Sequence, residues 1–350
     1  MTGSVGKSST KEMIAAALSQ GKRVHKTAGN YNSQIGLPLT GFGLNHTHEI
    51  VVIEMGMSNL GEMERLSAIA SPPSAGVTNI GISHIEQLKT QENSRAEKLH
   101  IPDTIGEQGA LYLNGDDPLL QQLRESYTGK IVWYGMESDC DYQAVNIDTV
   151  KDCTRFELHA PFGAHKIMIP ALGLHNVSNA LAAIAVAYDQ GLTLDDIRCG
   201  LLTYEGLAMR QQIHELDKIT VIDDSYNASP DSIKSGIGVL MAVKSTGKKI
   251  AVLADMLELG ERSAQAHLEL GAYAAASGVD AVVTVGREAE KIAEGAAEES
   301  RKSLVKACGT NDEAFAELEK ILNDGDSVLV KGSRGMHTDE IVQKLLTKYQ

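Results

Sequence analysis

Two α/β domains in series, each with a mainly parallel sheet covered by helices on both faces, form the fold class this sequence predicts. Three observations carry that expectation. Short apolar runs alternate with helical stretches through the first two-thirds of the chain. A glycine-rich loop opens directly into a helical stretch, and a second strand–helix series begins after Arg210. Apolar runs enclosed by helical segments imply strands buried on both faces, which is the signature of parallel sheets. The expected domains cover residues 1–207 and 208–350, with the boundary near 205–210.

The first element is the loop Thr2-Gly3-Ser4-Val5-Gly6-Lys7-Ser8-Ser9-Thr10. Its glycines allow close backbone approach, and successive N–H groups can face phosphate oxygens. Lys7 is placed to reach the β- and γ-phosphates of a nucleoside triphosphate, and the Ser8 hydroxyl to face Mg²⁺. Two residues separate Gly3 from Gly6, where the general pattern has four. The competing reading is a Gly/Ser-rich tail. Met13, Ile14, Ala17 and Leu18 give the next segment, 11–18, an apolar stripe, so the phosphates would sit at a helix N-terminus. The first domain therefore reads as a central sheet of the P-loop ATPase type. Such a loop normally follows a buried strand, and here only Met1 precedes it.

Buried strands are then expected over 49–55, 74–80, 109–114 and 130–134. From about Tyr142 to Ile169 the pattern alternates, as in Arg155-Phe156-Glu157-Leu158, which suggests hairpin strands added to the sheet. An Ala-rich helix follows over 176–188. The second domain, Rossmann-like, should have strands at 219–223, 249–253, 281–285 and 327–330, separated by stretches long enough for βαβ crossovers.

The composition is that of a globular chain, with 43% hydrophobic and 22% charged residues. A net charge of −14 argues against broad nucleic-acid binding. Cys140, Cys153, Cys199 and Cys308 form no C-x-x-C pair, which fits reduced thiols in the cytoplasm. No signal peptide and no apolar run long enough for a membrane span are visible.

Several polar residues stand at strand ends. Glu54 follows an apolar strand beside the loop, where a Mg²⁺ ligand belongs; alone it could be a solvated acid. His84 follows another strand, where a lone histidine is more often structural than a ligand, and Lys98 by itself reads as a surface lysine. Asp223-Asp224 closes a strand where acids can hold ribose hydroxyls or a metal, or simply an Asx turn. Lys331 and Arg334, in a glycine-bracketed turn with Ser333, could hold a carboxylate or phosphate, or be solvated.

Nine segments in order resemble the Mur ligases of peptidoglycan synthesis: TGSVGKSSTKE (2–12), TAGNYNSQIGLPLT (27–40), VVIEMGMSNLGE (51–62), VTNIGISHIE (77–86), LNGDDP (113–118), GLHNVSNALAAIAVA (173–187), IDDSYNASPDS (222–232), LADMLELGERSAQAH (253–267) and VLVKGSRGMH (328–337). LELGERS and KGSRGMH are most similar to the branch that joins D-alanyl-D-alanine to UDP-N-acetylmuramoyl-tripeptide. The resemblance implies an ATP-dependent ligase that phosphorylates the substrate carboxylate to an acyl phosphate, which the incoming amine then attacks. Both steps concentrate negative charge, so cations and N–H groups should dominate catalysis.

By the same resemblance, Lys7 and Ser8 hold the phosphates and a first Mg²⁺, with Glu54 as its acidic ligand. His84 and a carbamylated Lys98 serve a second Mg²⁺. Asn179 contacts adenine, Asp224 the ribose, and Arg210 the γ-phosphate. Lys331, Ser333 and Arg334 lie near the dipeptide or the transferring phosphoryl. The expected enzyme is a cytoplasmic monomer whose site lies between domains that close on ATP. Departures are Ser33, where many relatives have a second asparagine after Asn32, and Glu97 and His100 around Lys98. Glu97 would either oppose the carbamate or point outward. Relatives carry an N-terminal UDP-binding domain of about one hundred residues and a strand into the loop; neither is in this sequence, so a truncated gene product or start assignment is expected. Alternatives are a sibling Mur or folylpolyglutamate-type ligase, an inactive fragment, or a P-loop switch protein. The absence of an Asp-Asn-Pro motif disfavours the diamino-acid-adding sibling, and the absence of an Asn-Lys-x-Asp motif disfavours the switch.

Overall fold

The computed structural model describes residues 1–106, 109–137, 139–300 and 302–350. The chain separates into two compact units, Met1–Glu205 and Gly206–Gln350. The first unit runs α1 (Lys7–Leu18), β1 (Val24–Lys26), α2 (Gly36–Phe42), β2 (Ile50–Val52), α3 (Glu62–Ala70), β3 (Ala75–Val77), α4 (Ile85–Leu88), α5 (Gln91–Lys98), β4 (Ala110–Asn114), α6 (Pro118–Gln121), β5 (Lys130–Gly135), β6 (Tyr142–Val150), β7 (Cys153–Ala160), β8 (Gly163–Ile169), α7 (Leu174–Asp189) and α8 (Leu194–Leu202). Strands β3 to β8 form one sheet in that order, parallel from β3 to β6 and antiparallel through β7 and β8. The antiparallel part follows from alternation: Phe156 and Leu158 of β7 are buried while Arg155 is exposed.

β1 and β2 form a separate parallel pair. The opening residues lie between the two sheets. The Met1 amino group donates to the Ile53 carbonyl (2.7 Å), and Thr2 bridges Val77 in parallel. The strand expected over 49–55 is therefore shorter. Beyond Val52 the backbone turns its hydrogen bonds to Met1, leaving Glu54 two residues past the strand end. Helix α1 starts at Lys7, four residues earlier than the apolar stripe suggests, because Gly6 turns the chain with φ 84° and opens the helix there. The alanines of α7 are buried to zero exposure at 180, 182, 183, 185 and 187, and this small-residue surface packs on α1. A side chain at Gly200 of α8 would come within 2.4 Å of the Ala16 carbonyl, so this helix too approaches α1 closely.

The second unit runs β9 (Gln212–Glu215), β10 (Thr220–Asp223), α9 (Pro230–Ala242), β11 (Lys249–Ala254), α10 (Ser263–Ala276), β12 (Ala281–Val285), α11 (Glu290–Glu299), β13 (Leu304–Cys308), α12 (Asn311–Ile321), β14 (Ser327–Lys331) and α13 (Asp339–Tyr349). The sheet order is β13-β12-β11-β14-β10-β9, parallel except for the edge strand β9. The last strand returns to the centre, between β11 and β10. Ligands of open α/β sheets bind where strand order reverses, at the carboxyl ends of the strands. Asp223, Asp224, Asp255 and Lys331 to Arg334 all lie at those ends.

Candidate active site

The glycine loop is pinned from below by β3 and the residues after it. Asn79 Oδ1 accepts from the N–H groups of Ser4 (3.1 Å) and Val5 (2.9 Å), and Thr78 Oγ1 donates to the Val5 carbonyl (2.6 Å). Two N–H groups that sequence reasoning assigns to phosphate are thus held by Asn79, a residue the sequence reading passed over. The N–H groups still available to an anion are those of the first turn of α1, including Ser8 and Ser9, which have no partner inside a helix. Gly3 and Gly6 are required for close approach: a Cβ would stand 1.9 Å from Thr78 Oγ1 at Gly3 and 2.9 Å from Asn179 Oδ1 at Gly6. Lys7 curls back over the loop, its Nζ 2.9 Å from the Gly3 carbonyl.

Ser8 and Glu54 come together. The Ser8 hydroxyl donates to Glu54 Oε1 at 3.0 Å, and Asn32 Nδ2 donates to the same oxygen at 2.7 Å. Glu54 is buried, and its Oε2 has no hydrogen bond, only the Lys11 ammonium 3.7 Å away. Lys11 is fully buried and ties α1 to the Thr27 carbonyl (2.7 Å), while Thr27 Oγ1 accepts from the Glu54 N–H (3.0 Å). A hydroxyl and an under-bonded carboxylate at a loop mouth suit Mg²⁺, which takes hard oxygen ligands and completes its shell with phosphates and water. Among the described residues no group of three or more His, Cys, Asp and Glu side chains could hold a metal by itself.

His84 caps α4 in the left-handed conformation, φ 58°. Lys98, at the end of α5, is 3% exposed and donates to Ser94 Oγ at 2.6 Å. Burial lowers its pKa to about 7; the nearby Lys7 ammonium adds to the effect and Glu97 opposes it. An unmodified amine at such a site does not fit a metal, whereas its neutral form can become a carbamate. Glu97 does not point outward; its charge favours the ammonium of Lys98 and so works against a carbamate. It is buried and accepts from the Met63 N–H at 2.9 Å, capping α3. His100 is turned to Asp103 at 2.8 Å. Asn179 is buried, accepting from Thr10 Oγ1 (2.9 Å) and donating to Asn176 Oδ1 (3.1 Å).

In the second unit, Asp224 and Lys331 form a buried ion pair at 2.7 Å, and Lys331 also donates to the Asn227 carbonyl at 2.9 Å. The ammonium expected to face a dipeptide or phosphoryl is thereby turned to Asp224. Burial pushes the Asp224 carboxyl up and the Lys331 amine down, and each is the other's main compensation. The Arg210 guanidinium stacks 4.2 Å over the Tyr226 ring and adds positive potential at Asp224. Asp223 forms an Asx turn, accepting from the N–H and hydroxyl of Ser225. Arg334 is half-exposed, 3.5 Å from Asp339. Ser333 is buried and accepts from the Leu257 N–H at 2.9 Å.

No helix among the described residues is long and apolar enough to cross a membrane. The family model of the Mur ligase middle domain matches residues 1–187, and that of the Mur ligase, glutamate ligase domain matches 209–334. The UDP-N-acetylmuramoyl-tripeptide–D-alanyl-D-alanine ligase of Bacillus subtilis is 39% identical over 347 residues, covering 99% of this chain and 75% of the relative. Among solved structures, MurF from Acinetobacter baumannii matches with a TM-score of 0.92 at 32% identity, over 99% of this chain and 76% of that one. The MurF ligase of Thermotoga maritima, solved in complex with ADP, matches at 0.89 and 29% identity, over 100% and 79%. Similarity of this degree, running through both units, makes the chain a member of the Mur ligase family.

Proposed function

We propose that this chain is a cytoplasmic, monomeric ATP-dependent ligase that joins D-alanyl-D-alanine to the peptide carboxylate of UDP-N-acetylmuramoyl-tripeptide. The observation that carries the reading is the Ser8 hydroxyl set 3.0 Å from the buried, under-bonded Glu54 at the mouth of the glycine loop. Its support is the activity named for the relatives. A carboxylate is inert to amines until one oxygen becomes a leaving group. The carboxylate oxygen attacks the γ-phosphorus of ATP, ADP departs, and an acyl phosphate forms. The dipeptide amine then adds to the acyl carbon, loses a proton, and expels phosphate.

The chain's own groups supply orientation and positive charge. Lys7 and the N–H groups at the start of α1 receive the β- and γ-phosphates, which disperses charge as the bond to ADP breaks. Ser8 and Glu54 would hold one Mg²⁺, and His84 with carbamylated Lys98 a second. When bound, Mg²⁺ neutralises the phosphate oxygens. The carbamate forms when the neutral Lys98 amine adds to CO₂ and releases a proton; its depressed pKa makes that neutral form abundant near neutrality. Asn179 keeps a second amide N–H for adenine, and Asp224, oriented by Lys331, accepts from ribose hydroxyls. Arg210 meets the γ-phosphate. Arg334 faces the dipeptide, and the buried Ser333 steadies the loop beside it.

The test supplies MgATP, UDP-N-acetylmuramoyl-tripeptide and D-alanyl-D-alanine, then follows phosphate release and product mass. Phosphate should appear only with all three substrates, and Glu54→Gln should slow it by about 10²-fold or more. Product formed with lysine, diaminopimelate or glutamate in place of the dipeptide would transfer the chain to a sibling activity. ATP turnover independent of any amine would sink the ligase reading.

A further inference from the structure

The loop between β11 and α10 presents one exposed apolar side chain on a tightly held backbone. Leu257 is 46% exposed, yet its neighbours Met256 and Leu259 are buried. The Met256 N–H donates to Nε2 of His267, a fully buried ring whose Nδ1 donates in turn to the Ser263 carbonyl (2.9 and 2.7 Å). The Leu257 N–H donates to the buried Ser333 hydroxyl, and the Ser333 N–H donates to the Asp255 carbonyl (2.9 and 3.1 Å). Two consecutive loop amides are thus fixed by two buried polar side chains. Glu258 (φ 63°) and Gly260 (φ 54°) turn the chain back immediately afterwards.

An exposed leucine alone means little. This one is held against the turn that carries Arg334. Its Cδ1 lies so close to Gly335 that a side chain there would come within 3.1 Å of it, and the preceding residue is the half-exposed Arg334. The guanidinium is flanked by Met209 Sδ at 3.9 Å. The carriers, β11 and β14, are adjacent parallel strands, and both segments leave their carboxyl ends. A fixed apolar side chain packed on an arginine-bearing turn suits a small molecule with a methyl group beside a carboxylate.

We propose that Leu257 contacts the methyl group of the dipeptide's carboxy-terminal residue while Arg334 pairs with its carboxylate. His267 and Ser333 are positioning residues that hold Leu257 in place. This rests on the D-alanyl-D-alanine reading above and adds to it the group that discriminates D-alanine from glycine at the second position. A site that loses a well-packed methyl contact loses about 10-fold or more in discrimination.

Two measurements on the intact chain test it. Saturation-transfer NMR with D-alanyl-D-alanine reads binding without turnover. The carboxy-terminal methyl should saturate strongly in the wild type, weakly in Leu257→Ala, and not in Arg334→Gln. The kcat/KM ratio of D-alanyl-D-alanine to D-alanyl-glycine should fall by about 5-fold or more in Leu257→Ala. It should fall similarly in Ser333→Ala, with recovery in Ser333→Thr, which restores the hydroxyl. Where ligation runs, an unchanged ratio in Leu257→Ala overturns the proposal and leaves the ligase reading intact. Where ligation does not run, saturation decides: a Leu257-dependent methyl signal keeps the proposal and rejects the ligase reading, and no signal rejects both.

Discussion

An ammonium at Lys98 is disfavoured twice over. Burial strips its water, and Lys7 repels it, so its pKa drops from 10.5 to about 7 against partial compensation by Glu97. The folded state then binds fewer protons than the unfolded state between pH 7 and 10.5. Stability therefore rises with pH across that window, and the penalty is greatest below pH 7. Lys98→Met should remove it. In bicarbonate-free buffer at pH 6.5 the variant should be more stable than the wild type by something on the order of 3 kcal/mol, after loss of the Ser94 hydrogen bond. By pH 9.5 the advantage should shrink to about zero. Urea melts at the two pH values measure both. Ligase activity should vanish in the same variant. A Lys98→Met protein less stable than the wild type at pH 6.5 would falsify the strained-amine account. Glu97 shows why such sites resist sequence reading. Its partner, the Met63 N–H, is 34 residues away, and nothing local in the sequence announces a cap on a different helix.

At the scale of elements, the loop and α1 divide their N–H groups between protein and ligand. Ser4 and Val5 are bonded to Asn79, whereas the N–H groups of the first turn of α1, after its glycine cap, have no partner inside the helix. Amide exchange should separate them. Ser4 and Val5 should be slow without nucleotide, and Ser8 and Ser9 should be fast until MgATP is added. Protection of all four in the nucleotide-free protein would remove the first turn as the anion site. The strands that sequence reading located share a physical cause. β4, β5, β10, β11, β12 and β14 are apolar because they are buried, and β6 to β8 alternate because one face is solvated. The strands it missed do not carry either signal. β1 is three residues long, β9 is a charged antiparallel edge, and β13 is an edge strand with Lys306 half-buried along it. The same limit applies within the site. The Ser8–Glu54 approach was legible because both residues sit where parallel strands and loops converge. The roles of Asn79, Lys11 and Thr27 depend on contacts that span up to 75 residues, which periodicity cannot encode.

At the scale of the whole molecule, the second unit holds a complete sheet from one continuous stretch of chain. All six strands from β9 to β14 lie within Gly206–Gln350, and the edge strand β9 pairs with β10. The unit has its own aliphatic core, with Val221, Ile250, Val252, Val283, Val328, Ile341 and Leu345 almost completely buried. Its helices are locked by close backbone contact. A Cβ at Gly271 would come within 1.9 Å of the Ile292 carbonyl, and one at Gly295 within 2.0 Å of the Leu268 carbonyl, so α10 and α11 pack with no side chain between them at those points. A domain of about 150 residues buries close to 70% of its unfolded surface, enough to fold without help. Residues 206–350 expressed alone should therefore unfold in urea in one cooperative step, with circular dichroism and Tyr fluorescence coinciding. Gly271→Leu in that fragment should abolish the step or lower its midpoint steeply, because the new side chain cannot enter the α10–α11 contact. A wild-type fragment that melts gradually, with the two probes apart, would mean that this sheet depends on residues outside 206–350.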